Sequence, residues 1–152
     1  MSSPRCAQRR SSVRRLNGSR IEDGVVAGAV AAVVSGLPST AWELARGGDP
    51  LRATLAVGSM ALPRERRRER LVAAAVPVHL GVSVAWGVVL ARVLPRRPSV
   101  AAGAVAGLAT AALDLGLVAR RFPAIRSLPL GAQLADHAAY GAVVAFVLAR
   151  RR

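Results

Sequence analysis

The sequence predicts an all-α, polytopic membrane helix bundle with four transmembrane helices and two short surface helices in the first loop. Two observations lead to this prediction: long runs of residues carry no charge, and the arginines lie between those runs or near the start of the chain. Hydrophobic residues make up 53% of the 152 residues, yet the net charge is +14. Such segregation is typical of membrane-spanning helices joined by basic loops.

Four segments are long enough to cross a bilayer, for which a helix needs about 20 residues. Apart from Asp114 and Asp136, their uncharged runs hold 19 to 23 residues. A soluble four-helix bundle would need a charged stripe opposite the apolar stripe of each helix, and these segments have none. We therefore predict a transmembrane helical domain over residues 21–152, with spans at about residues 24–42, 71–93, 98–119 and 128–149.

Residues 1–20 are a separate basic segment with six arginines and no apolar periodicity, and we predict a disordered tail there. Because arginine beside a bilayer attracts acidic headgroups, the predicted partners are the lipid bilayer and its anionic lipid headgroups. A solvated tail that only sets orientation is the alternative interpretation. Nucleic acid is not a predicted partner, because the aromatic residues that would stack on bases total only 3%.

The first loop contains several helix start and stop signals. Pro38 should end or kink the first span, and residues 40–43 fit a capping box for a short helix that Gly47 and Gly48 would end. Asp49, followed by a proline, fits the start of a second short helix that runs to about Leu62. Neither helix is long enough to cross, so we predict that both lie at one membrane surface.

The remaining connections are short. The turn at residues 94–98 predicts that the second and third spans form an antiparallel hairpin, and residues 122–129 join the third span to the fourth. The GxxxG pairs Gly24/Gly28 and Gly103/Gly107 indicate close approach of helix backbones. In a glycine-rich chain we interpret them as packing faces and not as a dimerisation motif, and a homo-oligomer stays open as a partner assignment.

Arginine counts decide the predicted orientation by a small margin. With four crossings, twelve arginines lie on the side of the two termini, here called the terminal side. Ten lie on the side of residues 43–69, here called the loop side. The cytoplasmic side carries the excess of arginine, so we predict that both termini are cytoplasmic.

Ionisable side chains inside a span are costly in hydrocarbon and therefore mark candidate sites. Helical spacing places Gln133, Asp136 and Tyr140 on one face of the fourth span, whereas His137 is turned from Asp136 by about 100°. By position along their spans, the four ionisable candidates His79, Asp114, Asp136 and His137 lie in the loop-side half. The candidate residues are His79 in the second span, Asp114 in the third, and Gln133, Asp136, His137 and Tyr140 in the fourth.

Two functions remain open for this polar layer. A structural or interaction protein would use it as a dry interhelical clamp, in which Asp114 or Asp136 hydrogen-bonds His79 or Tyr140. A subunit of a small oligomeric transporter or channel would instead keep the layer wet and reachable from the loop side. The clamp is the function that we predict, and the transporter subunit is the alternative.

The sequence contains no motif for catalysis or cofactor binding. No nucleophile elbow, phosphate-binding glycine loop or dinucleotide fingerprint occurs. No HxxxH or HExxH spacing supports a metal site, and the single cysteine, Cys6, cannot form a thiolate cluster. We therefore predict no catalytic residue, no cofactor and no metal, and an enzyme is the less favoured interpretation.

Four short stretches carry a resemblance: GLPSTAW at 36–42, GDPL at 48–51, ALDLG at 112–116 and ADH at 135–137. In these stretches the chain resembles small actinobacterial four-helix integral membrane proteins of unknown function. The resemblance covers most of residues 21–150. It implies a four-helix, multi-pass protein of a bacterial plasma membrane, and it carries no activity with it.

Overall fold

The computed structural model describes the side chains of residues 19–152, and its first helix extends back to Pro4. The described residues fold as an all-α bundle without strands, which confirms the predicted fold class. The predicted disordered tail falls almost wholly outside the described side chains and stays a prediction. The helices are α1 (Pro4–Val34), α2 (Leu37–Ala45), α3 (Arg52–Ala61), α4 (Arg68–Val93), α5 (Val100–Gly116), α6 (Pro123–Arg126) and α7 (Leu130–Arg151), with a 3-10 turn, Val118–Arg121, between α5 and α6.

Within residues 19–152, four helical segments are long and apolar enough to cross a membrane, so the protein is a multi-pass membrane protein. The last three agree with the predicted spans to within a few residues. The first includes the predicted span and continues through α2 after a bend at residues 35–36. The segments are Ser19–Ala45, Arg68–Val93, Val100–Arg121 and Leu130–Arg151.

The helix α2 begins at Leu37, and the predicted capping box at residues 40–43 is therefore wrong. Thr40 lies inside the helix, where its Oγ1 donates a hydrogen bond to the Gly36 carbonyl at 2.9 Å. Pro38 occupies the first turn, where its missing N–H removes no helical hydrogen bond. Gly47 ends α2 as predicted, with a φ of 67° that a residue with a side chain rarely adopts.

The helix α3 starts at Arg52, later than the predicted start at Asp49. Asp49 Oδ1 accepts a hydrogen bond from Leu51 N at 3.0 Å, so it shapes the turn before the helix. Both carboxylate oxygens also accept from Arg68, at 2.7 and 3.0 Å. The Arg68 guanidinium and the Leu51 N–H hold the pKa of Asp49 below its ordinary range. This contact ties the start of α3 to the start of α4.

Glycines create the two closest helix contacts of the bundle. The helix α1 packs against α4 and α7, and α5 packs against α7. At these contacts an added Cβ would meet backbone atoms of the facing helix, so the GxxxG pairs act inside one protomer. The glycines concerned are Gly24, Gly28 and Gly87 between α1 and α4, and Gly103, Gly107 and Gly141 between α5 and α7.

The second and third spans do not pack against each other as the predicted hairpin would. Residues 94–99 do reverse the chain, yet α4 and α5 make little direct contact along their length. The reason lies in the glycine faces, because Gly87 turns α4 towards α1 whereas Gly103 and Gly107 turn α5 towards α7. A gap therefore separates α4 from α5.

An ion pair closes the bundle on the terminal side. Asp23 of α1 accepts from Arg151 Nε at 2.9 Å and from Arg152 Nε at 3.4 Å. Arg152 also donates to the Ala91 carbonyl at the end of α4, at 2.8 Å. These contacts bring the start of the first span and the end of the fourth to the same membrane surface, as an even number of crossings requires.

We expect reporter fusions after Arg97 and at Arg152 to report the same compartment, the cytoplasm, and a fusion near Arg67 to report the opposite one. The Asp23–Arg151 contact sets the parity, and the arginine counts set the direction. Paired phosphatase and fluorescent-protein fusions measure both. Opposite compartments for the fusions at Arg97 and Arg152 would contradict the four-crossing topology.

Candidate functional site

A cavity of about 500 Å³ lies between α4, α5 and α7 in the loop-side half of the bundle. It occupies the gap left where α4 and α5 do not pack. The short helices α2, α3 and α6 cover its loop-side end. Its volume falls within the range of about 300–1,000 Å³ that is usual for small-molecule sites.

All six candidate residues from the sequence line this cavity. Their pairing differs from the predicted clamp, because neither Asp114 nor Asp136 hydrogen-bonds His79 or Tyr140. Each of the six side chains instead contacts a residue outside the predicted pairs, so the polar layer surrounds a space and does not fill it.

Asp136 connects the last span to the first loop. Its Oδ1 accepts a hydrogen bond from Ser39 N, at 2.8 Å. Ser39 lies in the first turn of α2, where the backbone N–H groups have no partner within the helix. A carboxylate is favoured there by the positive end of the helix dipole. Asp136 therefore caps α2 from a position 97 residues further along the chain.

Asp114 connects the three walls of the cavity. Its Oδ1 accepts a hydrogen bond from Trp86 Nε1 of α4 at 3.3 Å, and its Oδ2 lies 3.4 Å from His137 Nε2 of α7. The Trp86 contact bridges the gap between α4 and α5. His137 thus faces α5 while Asp136 faces α2, and the cavity is wide enough for both neighbours to line it.

The partners of the two ring nitrogens of His137 determine which nitrogen carries a hydrogen. Nδ1 is 2.8 Å from the carbonyl oxygen of Gln133, which can only accept, so Nδ1 carries a hydrogen. In a neutral ring Nε2 would then present a lone pair to the carboxylate of Asp114. The contact between His137 and Asp114 is favourable only when this pair holds one further proton.

His79, Tyr140 and Gln133 bond to backbone carbonyls. His79 Nε2 donates to Ala32 of α1 at 2.9 Å, and the Tyr140 hydroxyl donates to Ser83 of α4. Gln133 Nε2 donates to Leu128 at 3.2 Å. These bonds fix the first turns of α7 and join α4 to α1 and α7, so part of the polar layer does act between helices.

Glu43 is a site residue that sequence reasoning assigned to a helix cap. Its side chain is only 11% exposed and lines the cavity from α2. Its partner is Arg52 of α3, with 3.4 Å between the guanidinium NH1 and Oε1. The available signal was its spacing of four residues from Ser39, which puts two polar side chains on one face of a short apolar helix.

The cavity thus combines acidic groups with apolar walls. Three carboxylates and two imidazoles face it, and its remaining lining is mostly aliphatic and aromatic. In residues 19–152 no three His, Cys, Asp or Glu side chains are grouped so that they could hold a metal ion. The acidic residues are Glu43, Asp114 and Asp136, and the large apolar ones include Met60, Trp86, Leu115 and Phe122.

No family model, curated protein or solved structure matches the chain. The cavity must therefore be interpreted from its own chemistry.

Proposed function

We propose that the protein binds a small organic cation in this membrane-embedded cavity and acts as a subunit of a small transporter in a bacterial plasma membrane. The observation that carries the proposal is the cavity of about 500 Å³ with three carboxylates in its lining. A purely structural clamp would close this space with side chains, since protein interiors are otherwise closely packed. The cavity therefore favours the transporter alternative over the clamp predicted from the sequence.

The sign of the ligand's charge follows from the lining. Glu43, Asp114 and Asp136 lie in a region of low dielectric, where a carboxylate interacts strongly with a positive charge. The indole of Trp86 and the phenol of Tyr140 offer aromatic faces that also attract cations.

The apolar walls favour an organic ion over a hydrated metal ion. A metal ion would need several converging oxygen ligands to replace its water shell, whereas here aliphatic and aromatic carbons make up most of the surface. A cation with an apolar body gains from burial of that body and from the nearby charge. Such amphipathic cations partition into the bilayer, and the gap between α4 and α5 gives them a lateral route to the cavity.

The terminal-side half of the bundle closes the cavity at its other end. Beyond Tyr140 the helix α7 packs through Val144 and Leu148, both fully buried, against Leu90 of α4 and Ala27 of α1. In the proposed transporter the terminal-side end of the cavity is therefore the closed one, and the ion enters through the gap between α4 and α5.

Binding of tetraphenylphosphonium, an organic cation with an apolar body, tests the proposal. We expect saturable binding to the purified protein in detergent, measured by equilibrium dialysis. Asp136→Asn should weaken it by about tenfold or more, because one buried charge is lost while the shape is kept. Asp49→Asn is the matched control: it removes a carboxylate outside the cavity and should leave the affinity unchanged.

Absence of saturable binding up to about 1 mM, for this and other amphipathic cations, would contradict the proposal and return the polar layer to a structural role. Equal loss of affinity in Asp136→Asn and Asp49→Asn would show that general surface charge, and not the cavity, attracts the ion.

A further inference from the structure

The contact between His137 and Asp114 places two titratable groups side by side inside the cavity. The Nδ1 hydrogen of His137 is committed to the Gln133 carbonyl at 2.8 Å. Its Nε2 faces Asp114 Oδ2 at 3.4 Å, and Trp86 occupies the other carboxylate oxygen. The favourable form of this arrangement is an imidazolium beside a carboxylate.

We infer that this pair is a proton-binding site and that the organic cation and the proton exchange for one another. The inference rests on the proposed function, because it needs a cation to enter the cavity. Both positive charges would have to share the same space and the same carboxylates. Two like charges in a small cavity of low dielectric repel strongly, so one excludes the other.

The other charged groups around the cavity leave this assignment in place. Asp136 accepts a hydrogen bond from the Ser39 N–H at the start of α2. Glu43 of α2 is paired with Arg52 of α3. His79 of α4 donates to the Ala32 carbonyl, and Tyr140 of α7 donates to the Ser83 carbonyl. Within the described part of the chain, Asp114 and His137 are the titratable side chains of the cavity that contact each other, and we assign the exchanging proton to this pair.

The exchange balances in charge and in bonds. When the cation binds, the Nε2–H bond of His137 breaks, its electron pair stays on Nε2, and the proton passes to water outside the cavity. The ring remains neutral and keeps its Nδ1–H bond to Gln133. The carboxylate of Asp114 loses one positive partner and gains another, so the net charge of the cavity does not change.

Proton release on cation binding tests this inference. Tetraphenylphosphonium is added to the purified protein in weakly buffered detergent solution with a pH indicator dye. We expect release of about one proton per bound cation while the pair is protonated. In that range the affinity for the cation should rise by about tenfold per pH unit, because each unit lowers the concentration of the competing proton tenfold.

His137→Gln is the decisive variant, since the amide can hydrogen-bond Asp114 but does not titrate. We expect it to bind the cation, release no proton and show an affinity that is independent of pH. His137→Asn, whose amide likewise does not titrate, serves the same purpose if His137→Gln fails to fold. Glu65→Gln, a loop acid that pairs with Arg70 outside the cavity, should behave as wild type.

The outcomes separate the two proposals. Cation binding to the wild type without proton release would overturn the exchange and leave the proposed function intact. Proton release that persists in His137→Gln would place the proton on another group and would also overturn the inference. Failure of the wild type to bind any cation would overturn the proposed function itself.

Discussion

Replacing Gly107 with alanine is expected to force α5 away from α7 and to lower the stability of the bundle sharply. A Cβ at this position would press on the carbonyl oxygen of His137 and lie 3.1 Å from the backbone nitrogen of Gly141. Both neighbours are backbone atoms, so no side chain can rotate out of the way. Overpacking in a core costs about 1–3 kcal/mol, and a contact that moves two helix backbones belongs at the upper end of that range.

Thermal unfolding of the purified protein in detergent measures this effect. Gly81→Ala is the matched control, because Gly81 lies in α4 with nothing within 4 Å of its added Cβ. The control should be neutral or more stable by up to about 1 kcal/mol, through the better helix propensity of alanine. If the two variants were equally stable, the glycine contact between α5 and α7 would be absent. Because Gly107 lies against His137, we also expect Gly107→Ala to weaken cation binding.

The pattern of charges predicted four long apolar helices, which residues 19–152 contain, because lipid imposes a simple rule. Any helix in hydrocarbon needs a long uncharged run, and such runs can be counted in the sequence. The starts of the short helices were less predictable. The helix α2 is capped by Asp136, a residue in the last span, whereas cap signals in a sequence describe only local residues.

The neighbours of each helix were also hidden from the sequence. A short turn between the second and third spans predicted a packed hairpin, since chain neighbours usually pack together. The structure differs because Gly87 lets α4 approach the backbone of α1 and Gly107 lets α5 approach the backbone of α7. Each glycine face packs only against a helix of complementary shape. The cavity is a direct consequence of that choice, and no local pattern reports an empty space between two helices.

The candidate site could be predicted residue by residue but not contact by contact. An ionisable group in a span must turn inward, so all six candidates line one cavity. Their partners depend on which helix lies opposite, and for this reason the predicted pairs with His79 and Tyr140 were wrong. Glu43 was missed because an acid near the start of a short helix fits a cap, whereas the fold of the loop buries it against the cavity.

Asp136 variants should separate the architectural role of this carboxylate from its role in binding. Asp136→Leu leaves the Ser39 N–H without an acceptor at the start of α2, where Ser39 is buried. An unsatisfied buried donor costs about 1–3 kcal/mol. We expect a lower unfolding temperature in detergent and faster hydrogen exchange across α2, because the helix loses its cap.

Asp136→Asn should keep the fold and lose the binding. The amide oxygen can still accept the hydrogen bond from Ser39, so the unfolding temperature and the exchange of α2 should remain close to wild type. The negative charge is gone, however, and affinity for the organic cation should fall as argued above. Loss of stability in both variants would assign Asp136 to the architecture of the loop alone. If Asp136→Leu changed neither stability nor binding, the contact between Asp136 and Ser39 would not form in the membrane, and α2 would be held over the cavity by its contacts with α7 and by the Glu43–Arg52 pair.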